Sequence, residues 1–162
     1  MAELTNLEEK LGEVIGLAQG AVAATDKIIK LDDAESVKDV LERMNEEATE
    51  TENRGIEIVE KLEGRKTAIL EKAAETKSKA SDMLKTYIDK DSDALDGFEF
   101  LTMAEAGEVG HWKVLQVMAK SAGDPAVVEL TEWALPIQER HFNEAQQNSL
   151  KLAGEQDPNE TS

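Results

Sequence analysis

The stretch that decides the fold is residues 98–135, which read FEFLTMAEAGEVGHWKVLQVMAKSAGDPAVVELTEWAL. Before Gly123 the inward positions recur every three or four residues, as on one face of an α-helix. Gly123 is typical of a helix C-cap, and Asp124 followed by Pro125 is typical of an N-cap with proline at the first helical position. A new apolar series follows at once. The sequence therefore predicts two long helices joined by a very short turn, which makes them antiparallel neighbours.

Two more amphipathic helices are predicted in the first half of the chain. The first begins at Thr5, because Thr5 and Glu8 have the spacing of a capping box just before an apolar series. The second is capped by Asp32 or Asp33. Its apolar series has a polar middle, and Gly64 is a plausible stop at its C-terminal end.

The segment that joins the second and third main helices has a different composition. Residues 65–92 are rich in Lys, Glu, Ala and Ser and carry a weaker apolar stripe, which predicts a helical crossover outside the bundle or an extension of the second helix past Gly64. The third main helix is expected to begin near Asp93. The sequence thus predicts an all-α fold, an antiparallel four-helix bundle, with one domain over residues 1–153 and a disordered tail over residues 154–162.

Composition excludes several functions. The chain has 162 residues and no cysteine, so disulfides and thiol chemistry are excluded. Its net charge of −17, from 35 acidic and 18 basic residues, argues against nucleic acid and anionic membranes as partners. No apolar run is long enough to span a membrane, and the first residues lack the pattern of a signal peptide. We therefore expect a cytoplasmic protein without nucleic-acid or membrane partners.

The third main helix has carboxylates where its inward face should be apolar. The inward series runs through Phe98, Leu101, Glu105, Glu108, Trp112, Leu115, Ala119 and Ala122. Two buried carboxylates on adjacent turns repel each other and lose hydration, so Glu105 and Glu108 need a cation or protons. His111 follows Glu108 by three residues on the same side of the helix, so both side chains can reach one ion.

The last helix repeats this arrangement. Gln138 falls on its inward series, and His141 follows three residues later. His111 and His141 are the only histidines of the chain. Because each follows an inward polar residue, and because the two helices are predicted neighbours, these residues are candidate metal ligands.

At these residues the sequence resembles the ferritin-like superfamily, and in style its small bacterial stress proteins. Such bundles hold two metal ions with one Glu from each of two helices and a Glu-x-x-His from each of the other two. Residues 105–112, EAGEVGHW, look like the third-helix motif. Residues 135–142, LPIQERHF, look like the fourth-helix motif with Gln138 in place of the usual Glu. The resemblance covers about residues 5–152, and its specific part lies in the last two helices.

The first two helices depart from that family's pattern. Gln19 stands near the position of the inward first-helix glutamate. The second-helix motif falls on Thr51 and Arg54, or on Glu52 and Gly55 if the register slips by one, with Glu47 or Glu50 as substitutes from a neighbouring turn.

The resemblance implies a metal-binding protein of a stress or metal-homeostasis type. The implied metal set is Glu105, Glu108, His111, His141, Gln138 and Gln19, with the glutamines lending carbonyl oxygens. Iron is the implied metal, with manganese or zinc as alternatives, since carboxylate and histidine ligands suit all three. If iron binds and one coordination position stays open, O₂ or peroxide would oxidise the Fe(II), so whether the protein is an enzyme stays open.

Two alternatives need no metal. In the first, the guanidinium of Arg54 lies between Glu105 and Glu108 and replaces the ion. The protein is then a ferritin-like bundle that acts through self-association or a protein partner, and a homodimer is the default expectation. In the second, the chain is a four-helix interaction module unrelated to ferritins.

Overall fold

The structure, a computed structural model, describes residues 3–161 and confirms an all-α chain, with no strand in that range. Its helices are α1 (Asn6–Ile28), α2 (Lys38–Glu60), α3 (Lys66–Tyr87), α4 (Ala94–Ala122) and α5 (Pro125–Gly154), with a short 3-10 turn, Glu35–Val37, before α2. None of these helices combines the length and the apolarity needed to cross a membrane. Residues 1, 2 and 162, which the predicted domain and tail include, lie outside the described residues, and the disorder of the tail stays a prediction.

The caps predicted at Gly123 and Asp124 are confirmed, as is the start of α4 near Asp93. The side chain of Asp93 accepts a hydrogen bond from the backbone N–H of Asp96 and begins α4. Gly123 ends α4 with a φ of 66°, in the left-handed region that glycine adopts without strain. Asp124 caps α5, and Pro125 is its first residue. The connection between α4 and α5 is therefore as short as predicted.

The capping box predicted for α1 forms only in part, and the cap predicted for α2 is wrong. Thr5 does cap α1, but Glu8 does not complete a capping box, because its carboxylate accepts a hydrogen bond from Arg65 Nε at 2.8 Å. No side chain caps α2. Asp33 instead accepts a hydrogen bond from the backbone N–H of Ala94 at 2.8 Å, and so ties the loop after α1 to the start of α4.

Helix α3 is separate from α2. Gly64 has a φ of 75° and lies in the turn between them, which settles the question that the sequence left open. Helix α3 packs closely on α1 because α1 has glycines at the contact. A Cβ atom at Gly12 would lie 2.9 Å from the carbonyl oxygen of Ile69, and one at Gly20 would lie 2.8 Å from the Cβ of Ala80. The two helices run in the same direction, since higher numbers on α1 meet higher numbers on α3.

The other helix contacts join antiparallel neighbours. Helix α4 packs on α5 and α1, and α2 packs on α1 and α5. Hydrogen bonds join Thr102 with Ser149 and Gln116 with Thr131, so α4 and α5 run in opposite directions. The apolar core consists of two clusters, one near Phe98 at one end of the molecule and one around Trp112 towards the other. Between them, along α4 and α5, lie the buried polar side chains of Glu105, Glu108, Gln138 and His141.

Candidate metal centre

A layer of buried polar side chains separates the two apolar clusters. Glu105 and Glu108 of α4 are 1% and 3% exposed, and Gln138 and His141 of α5 are each 1% exposed. The inward series predicted for both helices is therefore confirmed at these four positions. Buried polar groups are costly unless they are hydrogen-bonded, so the contacts inside this layer decide how it is stabilised.

The amide of Gln138 joins the two carboxyl groups. In the amide orientation that satisfies hydrogen bonding, its nitrogen donates to Oε2 of Glu105 at 2.9 Å and to Oε2 of Glu108 at 3.0 Å. On the other side of Glu105, the same Oε2 lies 3.9 Å from Nδ1 of His141. Two carboxyl groups, an amide and an imidazole thus form one continuous polar cluster.

His141 connects this cluster to the surface. Its Nε2 lies 3.1 Å from Oε1 of Glu47 on α2, and the Glu47 side chain is 20% exposed. Arg140 forms an ion pair with the other carboxylate oxygen of Glu47. A polar path therefore runs from Glu108 in the core, through Gln138, Glu105 and His141, to Glu47 at the surface.

Neither carboxyl group is neutralised by a permanently charged side chain of the described residues. Among residues 3–161, neither forms an ion pair with a lysine or an arginine. Burial raises the pKa of Glu105 from 4.5 to about 8. Burial, followed by the charge of Glu105, raises the pKa of Glu108 well above its usual range. Near neutral pH these groups therefore hold protons, or a cation must neutralise them.

The pKa values of His141 and Glu47 are both lowered, as expected of a neutral imidazole beside a carboxylate. Burial lowers the pKa of His141, and the hydrogen bond to Glu47 opposes this only in part. Burial would raise the pKa of Glu47, but hydrogen bonds from Arg140 and His141 outweigh it and lower that pKa. A neutral imidazole keeps one ring nitrogen as an acceptor, which is the form that binds a metal ion.

Gln19 and His111, also predicted as ligands, have other partners. The amide nitrogen of Gln19 donates to Oε1 of Glu52 on α2 at 3.1 Å. The side chain of His111 is 42% exposed, and its Nδ1 lies 3.2 Å from Nζ of Lys10 and 3.4 Å from a carboxylate oxygen of Glu13, both on α1. Of the six predicted ligands, the structure joins Glu105, Glu108, Gln138 and His141 in one cluster, while Gln19 and His111 bond outside it.

The proposal that Arg54 replaces the metal is wrong. Its guanidinium lies 4.1 Å from the ring centre of Trp133 and pairs with Glu50 at 2.9 Å, near the surface. Gly55, rather than Arg54, takes the buried position one turn after Thr51. A Cβ atom at Gly55 would lie 2.7 Å from Ile15 of α1, so close packing of α1 and α2 sets this register.

Glu47 is the one residue of the cluster that the sequence left unplaced. The sequence offers it only as a substitute, together with Glu50. The useful signal is spacing, because Glu47 lies one turn before the inward Thr51, whereas Glu50 lies beside it on the outward face.

The donor set fits one cation better than two. Two carboxylates, an amide oxygen and an imidazole nitrogen suit Fe(II), Mn(II) or Zn(II). As they stand, no three acidic or histidine side chains in residues 3–161 are arranged to hold an ion. Rotation of the Gln138 amide exchanges its oxygen and nitrogen, and would place a third oxygen where the two carboxyl groups converge.

Comparisons with protein-family models, with curated proteins and with solved structures find no match for this chain. The resemblance to the ferritin-like superfamily therefore stays a prediction, which rests on the motifs and on the geometry above.

Proposed function

We propose that this chain is a ferritin-like bundle of α1, α2, α4 and α5 that binds one divalent transition metal ion in its polar layer. Helices α2 and α4 are both antiparallel to α1, as the pairs Thr25–Asn45 and Ile28–Gly97 indicate. The chain must therefore travel the length of the bundle between them, and α3 serves as this crossover. A role in cytoplasmic metal homeostasis or stress follows from the resemblance.

The observation that carries the metal proposal is the buried pair of carboxyl groups, neither of which pairs with a lysine or an arginine among residues 3–161. Two ionised carboxylates at this depth would be strongly destabilising, so the pair must be neutralised. The arginine that would have done so lies instead against Trp133. A divalent cation neutralises both carboxylates at once, and it would displace the protons that hold them in the metal-free protein.

Each residue of the cluster has a role in this proposal. Glu105 and Glu108 supply carboxylate oxygens, Gln138 a carbonyl oxygen, and His141 its Nδ1. Glu47 holds the other nitrogen of the His141 ring, as carboxylates beside metal-binding histidines commonly do. Gln19 and His111 are not required. Iron is the metal proposed first, with manganese or zinc as alternatives, and bound iron would supply oxidation of Fe(II) by O₂ or peroxide.

The test is calorimetric titration of chelator-treated protein with Zn(II) and Mn(II), and with Fe(II) under anaerobic conditions. Glu105→Gln and His141→Ala are expected to weaken binding by at least about tenfold, because each removes a donor. Glu99→Gln is the matched control, since Glu99 is an exposed carboxylate on the same helix. His111→Ala should leave the affinity unchanged. Equal affinity in the wild type and Glu105→Gln, or equal losses in Glu105→Gln and Glu99→Gln, would contradict the proposal.

A second candidate function is a metal-free bundle that acts by self-association. An uncharged stripe lies on the exposed side of α4, at Met103, Gly107, Gly110, Val114 and Val117. The spacing of three or four residues places these positions on one helix face, and glycines there would let a second helix approach closely. Light scattering should then report a dimer that Val117→Glu dissociates. A wild-type monomer at high concentration would exclude this candidate.

A further inference from the structure

A cavity of about 230 Å³ lies between α1, α3 and α4, beside the polar layer. It exists because the side chains around it are small, as the wall positions Gly20, Ala24, Ala80, Ala104 and Gly107 show. Met83 and Met103 also line it and are 47% and 41% exposed, so the cavity opens to the surface at these methionines. Most of its wall is therefore apolar.

Its polar side is formed by Glu105 and Glu108, which are almost completely buried, and by His111, which is partly exposed. Gln138 bonds only the Oε2 atom of each carboxyl group. Among residues 3–161, no hydrogen bond engages either Oε1 atom. A ligand in the cavity could therefore bond to both glutamates without displacing Gln138.

The chemistry of such a ligand follows from its surroundings. Among residues 3–161 no lysine or arginine pairs with either carboxyl group, so a positively charged group that donates hydrogen bonds is favoured over a neutral or acidic one. The rest of the ligand must be apolar to match the walls. An apolar cavity of about 150 Å³ is known to hold benzene, so this one has room for about eight or nine non-hydrogen atoms.

We propose that this cavity binds a small primary amine with an apolar body, its ammonium group on Glu105 and Glu108. The proposal does not require that the protein bind a metal. If a metal also binds, amine and metal neutralise the same carboxyl groups, so each should weaken the binding of the other by the same factor.

The test is a chemical-shift titration of the metal-free protein, in buffer with a chelator, using benzylamine as the probe. Benzyl alcohol and benzoate have nearly the same size and shape and serve as the neutral and acidic controls. Benzylamine is expected to bind at least tenfold more tightly than either. The Glu105→Gln and Glu108→Gln double variant should lose this preference while it still admits benzyl alcohol.

Gly107→Leu tests whether the cavity is the binding site. Gly107 lines the cavity, and a Cβ atom there meets nothing within 4 Å, so a side chain can be added at this position and can extend into the cavity. Gly110→Leu is the matched control, because Gly110 is also exposed and unobstructed on α4 but does not line the cavity. Gly107→Leu should weaken benzylamine binding at least tenfold, and Gly110→Leu should leave it unchanged.

Three results would overturn the proposal: equal binding of benzylamine and benzyl alcohol, equal effects of the two leucine variants, or no shift on addition of benzylamine. The outcome is separable from that of the metal proposal. Gly107→Leu removes no metal donor, so Zn(II) binding that survives in this variant while benzylamine binding is lost supports the cavity. Benzylamine binding to a protein that takes up no metal would leave the cavity established and the metal proposal refuted.

Discussion

Replacing Glu105 and Glu108 together by glutamine should change how the stability of the metal-free protein depends on pH. In the folded protein burial raises the pKa of Glu105 to about 8, whereas the unfolded chain has the ordinary value of 4.5. Between these values the folded state holds a proton that the unfolded state has lost. The free energy of unfolding therefore falls as pH rises through this range, and the contribution levels off above about pH 8.

The magnitude follows from the same shift. One extra proton in the folded state gives a slope of about 1.4 kcal/mol per pH unit, so Glu105 alone lowers stability by about 1 kcal/mol between about pH 7 and pH 8.5. Glu108 acts in the same direction, because its pKa is also raised. His141 acts in the opposite direction, because its lowered pKa reduces the free energy of unfolding as pH falls through about 6.5. The interval between about pH 7 and pH 8.5 lies mostly above this value, so His141 contributes little to the change measured there.

Urea unfolding followed by far-ultraviolet circular dichroism, at about pH 7 and pH 8.5 with a chelator present, measures the effect. The wild type should lose at least about 1 kcal/mol between the two values, and the double glutamine variant should change much less. Saturating metal should abolish the loss, since the ion replaces the protons. A wild type that is equally stable at both values, or more stable at the higher one, would refute the reasoning.

Three further predictions concern the packing and the ends of the helices. Gly16→Ala should destabilise the protein by about 1–3 kcal/mol in urea unfolding, because a Cβ atom there would collide with the carbonyl group of Ala73. Gly107→Ala, where a Cβ atom meets nothing, should instead stabilise it by about 1 kcal/mol, and a loss there would contradict the account. Asp33→Ala should cost about 1 kcal/mol, because the N–H of Ala94 loses its acceptor; an unchanged midpoint of unfolding would count against this bond.

The parts of the fold that depend on neighbouring residues could be predicted from the sequence. Thr5, Asp93, Gly123 and Asp124 act on the first or last turn of their own helices, and each was placed correctly. Asp33 was not, because its partner Ala94 lies 61 positions away along the chain. A cap on the following helix and a bond to a distant helix look the same in the local sequence.

The sequence predicts those parts of the candidate site in which the helical period alone determines whether a side chain is buried. Glu105 and Glu108 lie on the buried face of α4, and Trp112 takes the next inward position. His111 comes one residue before Trp112, at the edge of that face, so contacts with α1 determine where its ring lies. The period of a helix defines its buried face, but it does not decide which partner a residue at the edge of that face will contact.

In α2, too, contacts with another helix determine what the helical period leaves open. Arg54 and Gly55 are alternatives for the inward position after Thr51, and they differ by one residue in register. The sequence of the helix alone does not determine which of the two faces inward. The choice comes from Ile15 of α1, which occupies the space that a side chain at position 55 would need. Contacts between helices therefore direct Arg54 to Trp133 and away from the two buried carboxyl groups.

The measurement that tests the central claim most directly is the metal content of protein purified without a histidine tag, loaded anaerobically with Fe(II) and then desalted. The account predicts about one equivalent of metal per chain, lost in the Glu105→Gln and Glu108→Gln double variant and retained in Glu99→Gln. Less than about a tenth of an equivalent in the wild type, or equal retention in all three proteins, would contradict it.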